Sequence, residues 1–133
     1  MRLNLKEIDL IAGIGIDIID VGRIKRVLEQ NPAFRQKVFS ESEIAYCDAK
    51  AEPAMSYAVR FAAKEAFMKA LGTGWNHEVR WSEIETITTL DGAPALNVSG
   101  NTKEAMLKRG ITACHLSLSH EKDYAIASVV LEK

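Results

Sequence analysis

Residues 53–74 most constrain the fold, because they combine a helix start, an apolar stripe and a helix end. Pro53 suits the first turn of a helix, and Gly72 stands where a left-handed residue often ends one. Apolar residues recur between them at intervals of three and four, which predicts one long helix with a buried stripe. These residues are Met55, Val59, Ala62, Ala63, Ala66, Phe67, Ala70 and Leu71.

Charged residues fall on both edges of this stripe. At about 100° per residue, Phe61, Glu65 and Lys69 share one edge, whereas Arg60 and Lys64 share the other. We expect both edges to be half-buried. A carboxylate there can coordinate a metal or accept a proton, and a lysine one turn later can neutralise phosphate charge. From spacing alone, an ordinary ion pair between Glu65 and Lys69 is the commoner explanation.

Composition limits the classes of protein to consider. The 133 residues, 47% of them hydrophobic, predict one globular domain with a substantial core. The net charge of −1 argues against a general nucleic-acid-binding protein. Cys47 and Cys114 lack partners at ligand spacing, so we expect reduced thiols and a cytoplasmic location. Acidic residues interrupt the apolar N-terminal run, so we expect no signal peptide or membrane span.

An aspartate interrupts the first predicted strand, residues 10–19. Alternation puts Asp17 on one face of this strand with Gly15 and Ile19, and puts three isoleucines on the other face. Aspartate is disfavoured inside strands, so Asp17 either lies at a solvated edge or has a special partner. The isoleucines are Ile14, Ile16 and Ile18.

Residues 20–38 form a basic segment, with five basic and two acidic side chains for a net charge of +3. Asp20 is a suitable N-cap for a predicted helix that ends near Asn31 and Pro32. An acidic partner can dock on such a face, although a solvated helix face is the commoner reason for this pattern.

The rest of the chain predicts two short helices and two hairpins. Ser40 and Glu43 form a capping-box signature for the first helix, and Asp91-Gly92 is a typical hairpin turn. His115 shares one side of its strand with two serines, Ser117 and Ser119, where a structural histidine is commoner than a catalytic one. The predicted helices are 41–50 and 101–108, and the predicted strands are 81–90, 95–98, 111–119 and 124–131.

Five motifs follow one another along the chain: Gly13-Ile-Gly-Ile-Asp-Ile18, Val38-Phe-Ser-Glu-Ser-Glu43, Arg60-Phe-Ala-Ala-Lys-Glu-Ala-Phe67 with Lys69, Gly72-Thr-Gly74, and His115-Leu-Ser-Leu-Ser-His120. Their order and spacing resemble the short, bacterial 4′-phosphopantetheinyl transferases, the holo-acyl-carrier-protein synthase family. The resemblance extends from about residue 12 to the end. It leaves residues 1–11 as an N-terminal extension with no assigned role.

The resemblance implies an α+β fold, with a small antiparallel sheet packed against a long central helix and shorter helices. It implies a homotrimer with active sites between subunits. It also implies transfer of 4′-phosphopantetheine from coenzyme A to a serine of apo acyl carrier protein, with magnesium, in support of fatty-acid biosynthesis. Adenosine 3′,5′-bisphosphate is the second product, and no nucleic acid or membrane is implied as a partner.

The same resemblance suggests a role for each motif residue. Asp17 and Glu65 are a sufficient protein share for Mg²⁺, which commonly takes one or two carboxylates plus substrate phosphates. Glu65, acting through a water, and Lys69, acting on the leaving group, are the expected catalytic residues. A metal-bound water or a carboxylate of the carrier protein remains an alternative base.

Two further sets of contacts are implied. Arg60 and Lys64 belong to the first set, although they could instead pair structurally. The expected coenzyme A contacts are Arg60, Lys64, Lys69, Gly72, Thr73, Gly74 and His115. The expected contacts to the acidic helix of the carrier protein are Arg23, Arg26 and Arg35.

Two other functions compete with a transferase. A non-catalytic module that binds acyl carrier protein or coenzyme A would need the basic segment but not both acids. A magnesium nuclease with two carboxylates is disfavoured by the charge balance and by the lack of further acids near Asp17.

Overall fold

The structure is a computed structural model that describes residues 10–74 and 76–133. In chain order its elements are β1 Ile11–Asp20, α1 Val21–Gln30, α2 Pro32–Val38, α3 Glu41–Asp48, α4 Pro53–Leu71, a 3-10 turn Trp81–Glu83, β2 Ile84–Thr88, β3 Pro94–Val98, α5 Gly100–Lys108, β4 Ala113–Glu121 and β5 Tyr124–Glu132. Most of the predicted N-terminal extension, residues 1–9, lies outside the described residues.

One long helix and two antiparallel sheets organise the fold. The larger sheet has the strand order β1-β5-β4, and β2 pairs with β3 in a separate hairpin. Helix α4 packs on one face of the larger sheet, where the inward residues of β5 are completely buried. These residues are Ala125, Ala127, Val129 and Leu131. The predicted α+β architecture around a central helix is confirmed.

The predicted central helix is confirmed over Pro53–Leu71, and Gly72 ends it with φ 82°. Its burial is more extensive than predicted. Lys64 is 0% exposed and Arg60 is 6% exposed, so the expectation of a half-buried edge is wrong for this pair. On the other edge Phe61 and Glu65 are half-buried as expected, whereas Lys69 is exposed.

Strand β1 approaches α4 so closely that only glycine fits at two positions. A Cβ atom on Gly15 would lie 1.9 Å from the carbonyl oxygen of Ala66, and one on Gly13 would lie 1.9 Å from that of Ala70. Both obstacles are backbone atoms, which cannot turn aside as a side chain can. This contact holds the next inward position of β1, Asp17, beside the helix.

We expect Gly15→Ala to lower the free energy of unfolding by about 3 kcal/mol, because the new methyl group must push β1 away from α4. Urea denaturation checks this value. Gly92→Ala is the control, since its Cβ would meet nothing within 4 Å. Only its positive φ of 89° opposes the substitution, at about 1 kcal/mol. Equal losses in the two variants would contradict the close approach.

The opposite face of the larger sheet is bare within the described residues. Its three predicted isoleucines are 60–65% exposed: Ile14, Ile16 and Ile18. In the register of the sheet they align with β5 residues Val130, Ser128 and Ile126, and then with β4 residues His115, Ser117 and Ser119. The predicted sharing of one side by the last three residues is confirmed.

Two local predictions were incomplete. Residues 32–38 form helix α2, with Pro32 in its first turn, although seven residues gave too short a pattern to reveal it. The predicted strand 81–90 begins only at Ile84, because the preceding residues form a 3-10 turn. The carbonyl of Trp81 accepts a side-chain hydrogen bond from Lys64 instead of pairing with a strand.

Both cysteines are free thiols, as predicted. Burial raises the pKa of each thiol, Cys47 and Cys114, to about 11. In the part of the chain that the structure describes, no helix has both the length and the apolar character needed to cross a bilayer.

Candidate active site

The two predicted acids come together where β1 crosses α4. The Asp17 side chain is only 15% exposed, and Glu65 is half-buried on the adjacent helix. Burial raises the pKa of Glu65, and the negative charge of Asp17 raises it further, whereas Lys69 and Arg23 oppose the shift. Two acids 48 positions apart in the sequence therefore interact electrostatically.

Lys69 joins these acids from the exposed end of α4. Its ammonium donates to Asp17 Oδ1 at 3.1 Å and to the carbonyl oxygen of Ile16 at 3.0 Å. This bond connects the helix with the strand, so the ion pair of Lys69 is with Asp17 rather than with Glu65 in the preceding turn of the helix. The Lys69 side chain is 54% exposed and can reach a ligand from there.

The acids fit a magnesium ion in charge and in donor type. Among residues 10–74 and 76–133, no group of three or more His, Cys, Asp or Glu side chains could hold a metal. Asp17 and Glu65 supply two carboxylates, which match the small protein share that Mg²⁺ takes beside phosphates and water. Their mutual repulsion, visible in the raised pKa of Glu65, is what a cation between them would relieve.

We expect Glu65→Gln to raise the melting temperature by roughly 2 °C at pH 7 in EDTA. The ionised carboxylate is disfavoured in the folded protein because of burial and of Asp17. Below the ordinary glutamate pKa both folded and unfolded chains hold the proton, so the gain should vanish near pH 4. Thermal denaturation at both pH values checks this, and a less stable variant at pH 7 would contradict it.

The Gly72-Thr73-Gly74 turn follows α4 directly. Gly72 and Gly74 have positive φ angles of 82° and 59°, and the Thr73 hydroxyl donates to the Gly74 carbonyl at 2.9 Å. A helix C-terminus repels anions, so only turn amides or this hydroxyl can contact a phosphate here. The turn is accessible, and its predicted role in binding coenzyme A stays a prediction.

Lys64 does not lie where a predicted coenzyme A contact should be. Its ammonium is completely buried and donates to Glu43 Oε1 at 2.8 Å and to two backbone carbonyls. These three bonds use all three of its N–H groups. The structure thus supports structural pairing for Lys64, the alternative left open by the sequence, and removes it from the coenzyme A contacts.

Arg60 differs from Lys64 because its hydrogen bonds are incomplete. The guanidinium stacks over the ring of Tyr46 at 4.2 Å and donates to the Ser56 carbonyl at 3.2 Å. Its Nε atom is buried without a hydrogen-bond partner. The Lys50 ammonium also lies over the Tyr46 ring, 4.4 Å from its centre, so two positively charged side chains contact this ring.

His115 lies on the bare face of the sheet, whereas Asp17 faces α4. Along β5, His115 aligns with Val130 and Asp17 aligns with Ala127, three residues away and therefore on the opposite face. His115 contacts Glu132 on its own face. Within one chain, the structure does not bring His115 to the two acids.

The predicted carrier-protein contacts divide into two kinds. Arg23 and Arg26 are exposed on α1. Arg35 is half-buried, where it donates to the Tyr57 hydroxyl at 3.0 Å and lies 3.8 Å from Asp48. Arg35 therefore has a structural partner, and only part of its side chain is accessible.

Sequence reasoning missed an aromatic cavity of about 380 Å³ that is lined by Phe61. Phe61, one helical turn before Glu65, stacks on Trp81 with ring centres 5.3 Å apart and lies 6.0 Å from Phe34. The spacing of Phe61 and Glu65 on one edge of α4 was the only sequence signal for an aromatic ring near that acid. Its partners come from other elements and could not be assigned. The cavity is lined by Asn31, Ala33, Phe34, Lys37, Val38, Phe61 and Trp81.

The sequence is similar to those of known proteins over most of its length. The sequence profile of the 4′-phosphopantetheinyl transferase superfamily matches residues 13–129. A holo-[acyl-carrier-protein] synthase of Geobacter sp. (strain M21) is 42% identical over 125 residues, which cover 93% of this chain and 100% of that protein. The corresponding protein of Syntrophus aciditrophicus (strain SB) is 44% identical over 92% of this chain and 97% of its own.

Solved structures give the same comparison at the level of the fold. The holo-[acyl-carrier-protein] synthase of Neisseria meningitidis has a TM-score of 0.86 and 35% identity, covering 92% of this chain and 99% of its own. The Helicobacter pylori synthase, in complex with coenzyme A, has a TM-score of 0.77 and 36% identity. That alignment covers 89% of this chain and 98% of the Helicobacter protein.

Proposed function

Because the chain belongs to the 4′-phosphopantetheinyl transferase superfamily, among its holo-acyl-carrier-protein synthases, we propose that Asp17, Glu65 and Lys69 carry out its reaction with magnesium. The reaction transfers 4′-phosphopantetheine from coenzyme A to a serine of apo acyl carrier protein. The single observation that carries this assignment is the position of Asp17 against α4, where its carboxylate accepts a hydrogen bond from Lys69, one turn after Glu65.

Each of the three residues has a defined task. Asp17 and Glu65 would hold Mg²⁺, which when bound neutralises charge on the pyrophosphate of coenzyme A. As the serine oxygen attacks the phosphorus that bears pantetheine, the serine proton passes through a water to Glu65. The bond to the bridging oxygen breaks, and Lys69 offsets the charge that develops on adenosine 3′,5′-bisphosphate.

Coenzyme A would be held by groups that have unused donors. The buried Arg60 Nε atom has no partner, and an acceptor that reaches the rim of this site would satisfy it. The turn after α4 offers the amides of Thr73 and Gly74 beside Lys69, whereas the Gly72 amide already donates to the carbonyls of Met68 and Lys69. Arg60 and Lys69 supply positive charge on opposite edges of α4, in keeping with a ligand that carries phosphates at more than one point.

The bare sheet face supports assembly as a homotrimer. Three adjacent isoleucines that are 60–65% exposed form an apolar patch of the kind that usually marks an interface. His115 lies on the same face, so assembly would carry it toward the site of a neighbouring subunit. An active site between subunits would thus explain why His115, a predicted coenzyme A contact, lies on the sheet face opposite to Asp17 of the same chain. The expected cytoplasmic location remains a prediction of the same proposal.

The carrier protein would dock on the basic segment. Arg23 also acts electrostatically on Glu65, so the exposed face of α1 is continuous with the reacting edge. The aromatic cavity is lined by Phe61, one turn before Glu65, and four of its other lining residues precede Val38 in the basic segment. A basic face with an apolar cavity suits an acidic protein that presents an apolar side chain near its serine.

We expect Arg26→Glu to raise KM for the carrier protein by about tenfold at low salt, because the reversed charge repels an acidic partner. The rise should shrink at high salt, while KM for coenzyme A should stay within about twofold. Lys103→Glu on α5, exposed and outside the segment, is the matched control. A KM for the carrier protein that is insensitive to salt in the unmodified enzyme would contradict docking by charge.

Mass spectrometry of apo acyl carrier protein tests the function as a whole. Incubation with the enzyme, coenzyme A and Mg²⁺ should add one phosphopantetheine mass to a serine, and EDTA should prevent it. Binding of coenzyme A without this mass increment would favour the alternative of a non-catalytic binding module. Transfer that is unaffected by EDTA would remove magnesium from the proposal.

A further inference from the structure

Lys64 and Glu43 form a buried ion pair directly behind the reacting edge. Lys64 lies in α4 directly before Glu65, but its side chain points into the core. The side chains of Lys64 and Glu43 are both 0% exposed. The ammonium donates to Glu43 Oε1 at 2.8 Å, to the Trp81 carbonyl at 2.8 Å and to the Ile84 carbonyl at 2.6 Å.

Glu43 is satisfied as completely as Lys64. Its Oε1 accepts from the Ser40 backbone at 3.1 Å, which completes the capping box of α3, and its Oε2 accepts from the Thr86 backbone at 3.1 Å. The pair therefore connects α3, α4 and residues 81–86 through six hydrogen-bonded groups. Burial lowers the pKa of Lys64, and the Glu43 charge opposes this effect.

Stability alone does not account for such a pair. An apolar pair of similar volume is commonly as stable or more stable, because it avoids the desolvation of two charges. What the charged pair adds is a set of directional hydrogen bonds to specific backbone groups. Hydrogen bonds to two carbonyls fix the position of residues 81–84, a segment whose own structure is a single short 3-10 turn closed by the Ile84 amide on the Trp81 carbonyl.

Trp81 connects this anchor to the active site. Its carbonyl is bound by Lys64, while its indole stacks on Phe61 at 5.3 Å with an angle of 12° between the rings. Phe61 and Glu65 are one turn apart on the same edge of α4. The position of the Trp81 ring against Phe61 therefore depends on the hydrogen bond from Lys64 to the Trp81 carbonyl.

We propose that Lys64 is a positioning residue, which holds Trp81 against Phe61 so that the aromatic cavity accepts an apolar side chain of the carrier protein. This inference rests on the proposed function. The occupant is assigned to the carrier protein rather than to coenzyme A because residues of the basic segment line the cavity, including Ala33 and Phe34. Lys64 itself touches neither substrate.

The double variant Glu43→Gln/Lys64→Met tests this, since it removes both charges together and leaves neither one buried alone. We expect KM for the carrier protein to rise about tenfold, as for the loss of one well-placed aromatic contact. The kcat value and KM for coenzyme A should stay within about twofold. In a Trp75→Phe background, the fluorescence emission of Trp81 should shift to the red, a measurement that does not depend on enzyme activity.

Trp81→Ala, which leaves the buried pair intact, supplies the second test. It should reproduce the rise in KM, and its effect should not add to that of the double variant, because both act through the same ring. Ile111→Ala, at a buried apolar site before β4, is the control for lost stability and should leave KM unchanged. Additive effects, an equal rise in the control, or an unchanged KM in either test variant would overturn the inference. Absence of transfer by the unmodified enzyme would instead contradict the proposed function.

Discussion

Glu65→Gln is expected to lower kcat/KM for phosphopantetheine transfer by about 1000-fold while the protein stays folded. The substitution keeps the shape of the side chain but removes the proposed proton acceptor and one of the two proposed metal ligands, and each of these roles contributes by a large factor. Asp17→Asn should have an effect of similar size, because the ligand set would then retain one carboxylate. Turnover assays by mass spectrometry of the carrier protein measure both losses.

Glu104→Gln is the matched control for these substitutions. Glu104 is exposed on α5, outside the site, and its loss should change kcat/KM by less than about twofold. Circular dichroism should give the same folded spectrum for all three variants. A folded Glu65→Gln enzyme with more than a tenth of the original activity would mean that this carboxylate is neither the base nor an essential ligand.

Ile16→Asp is expected to convert the proposed homotrimer into monomers and to lower activity by about 100-fold. Ile16 is 61% exposed in the single chain and lies at the centre of the three isoleucines on the bare face. Burial of an unpaired carboxylate at every copy of this contact would oppose assembly strongly. Without a neighbour, no His115 could approach the site. Size-exclusion chromatography with light scattering gives the oligomeric state, and the transfer assay gives the activity.

Leu90→Asp is a demanding control for this experiment. Leu90 is more exposed than Ile16, but it lies between β2 and β3, away from the bare face. The Leu90→Asp protein should remain trimeric and active. A trimeric Ile16→Asp protein would contradict assembly through this face, and a fully active monomer would contradict an active site shared between subunits.

The features predicted correctly from the sequence are those with local physical causes. The length of α4 follows from Pro53, Gly72 and the apolar spacing, and the cap of α3 follows from Ser40 and Glu43. The strand position of Asp17 follows from alternation with isoleucines. Each of these patterns lies within about twenty residues, so local sterics and hydrogen bonding are enough to determine it.

The errors have long-range causes. Lys64 carries a charge that predicts exposure, yet its partners Glu43, Trp81 and Ile84 come from three other segments and make burial possible. No spacing rule reveals such a partnership. The aromatic cavity was missed for the same reason, since its walls come from α2, α4 and the 3-10 turn.

His115 shows a different limit of sequence reasoning. Its motif suggested a place near the nucleotide, but the fold of one chain puts it on the far face of the sheet. The motif and the position are compatible only if a second copy is considered. A role that depends on assembly therefore cannot be derived from local patterns or from the single chain alone.

Binding of Mn²⁺, followed by electron paramagnetic resonance in the presence of coenzyme A, tests the central claim most directly. The unmodified protein should bind one ion per chain, and either Asp17→Asn or Glu65→Gln should weaken that binding by at least about tenfold. Glu104→Gln should leave it unchanged. If both active-site variants bound Mn²⁺ as tightly as the unmodified protein, the two acids would not share an ion, and the proposed mechanism would be wrong.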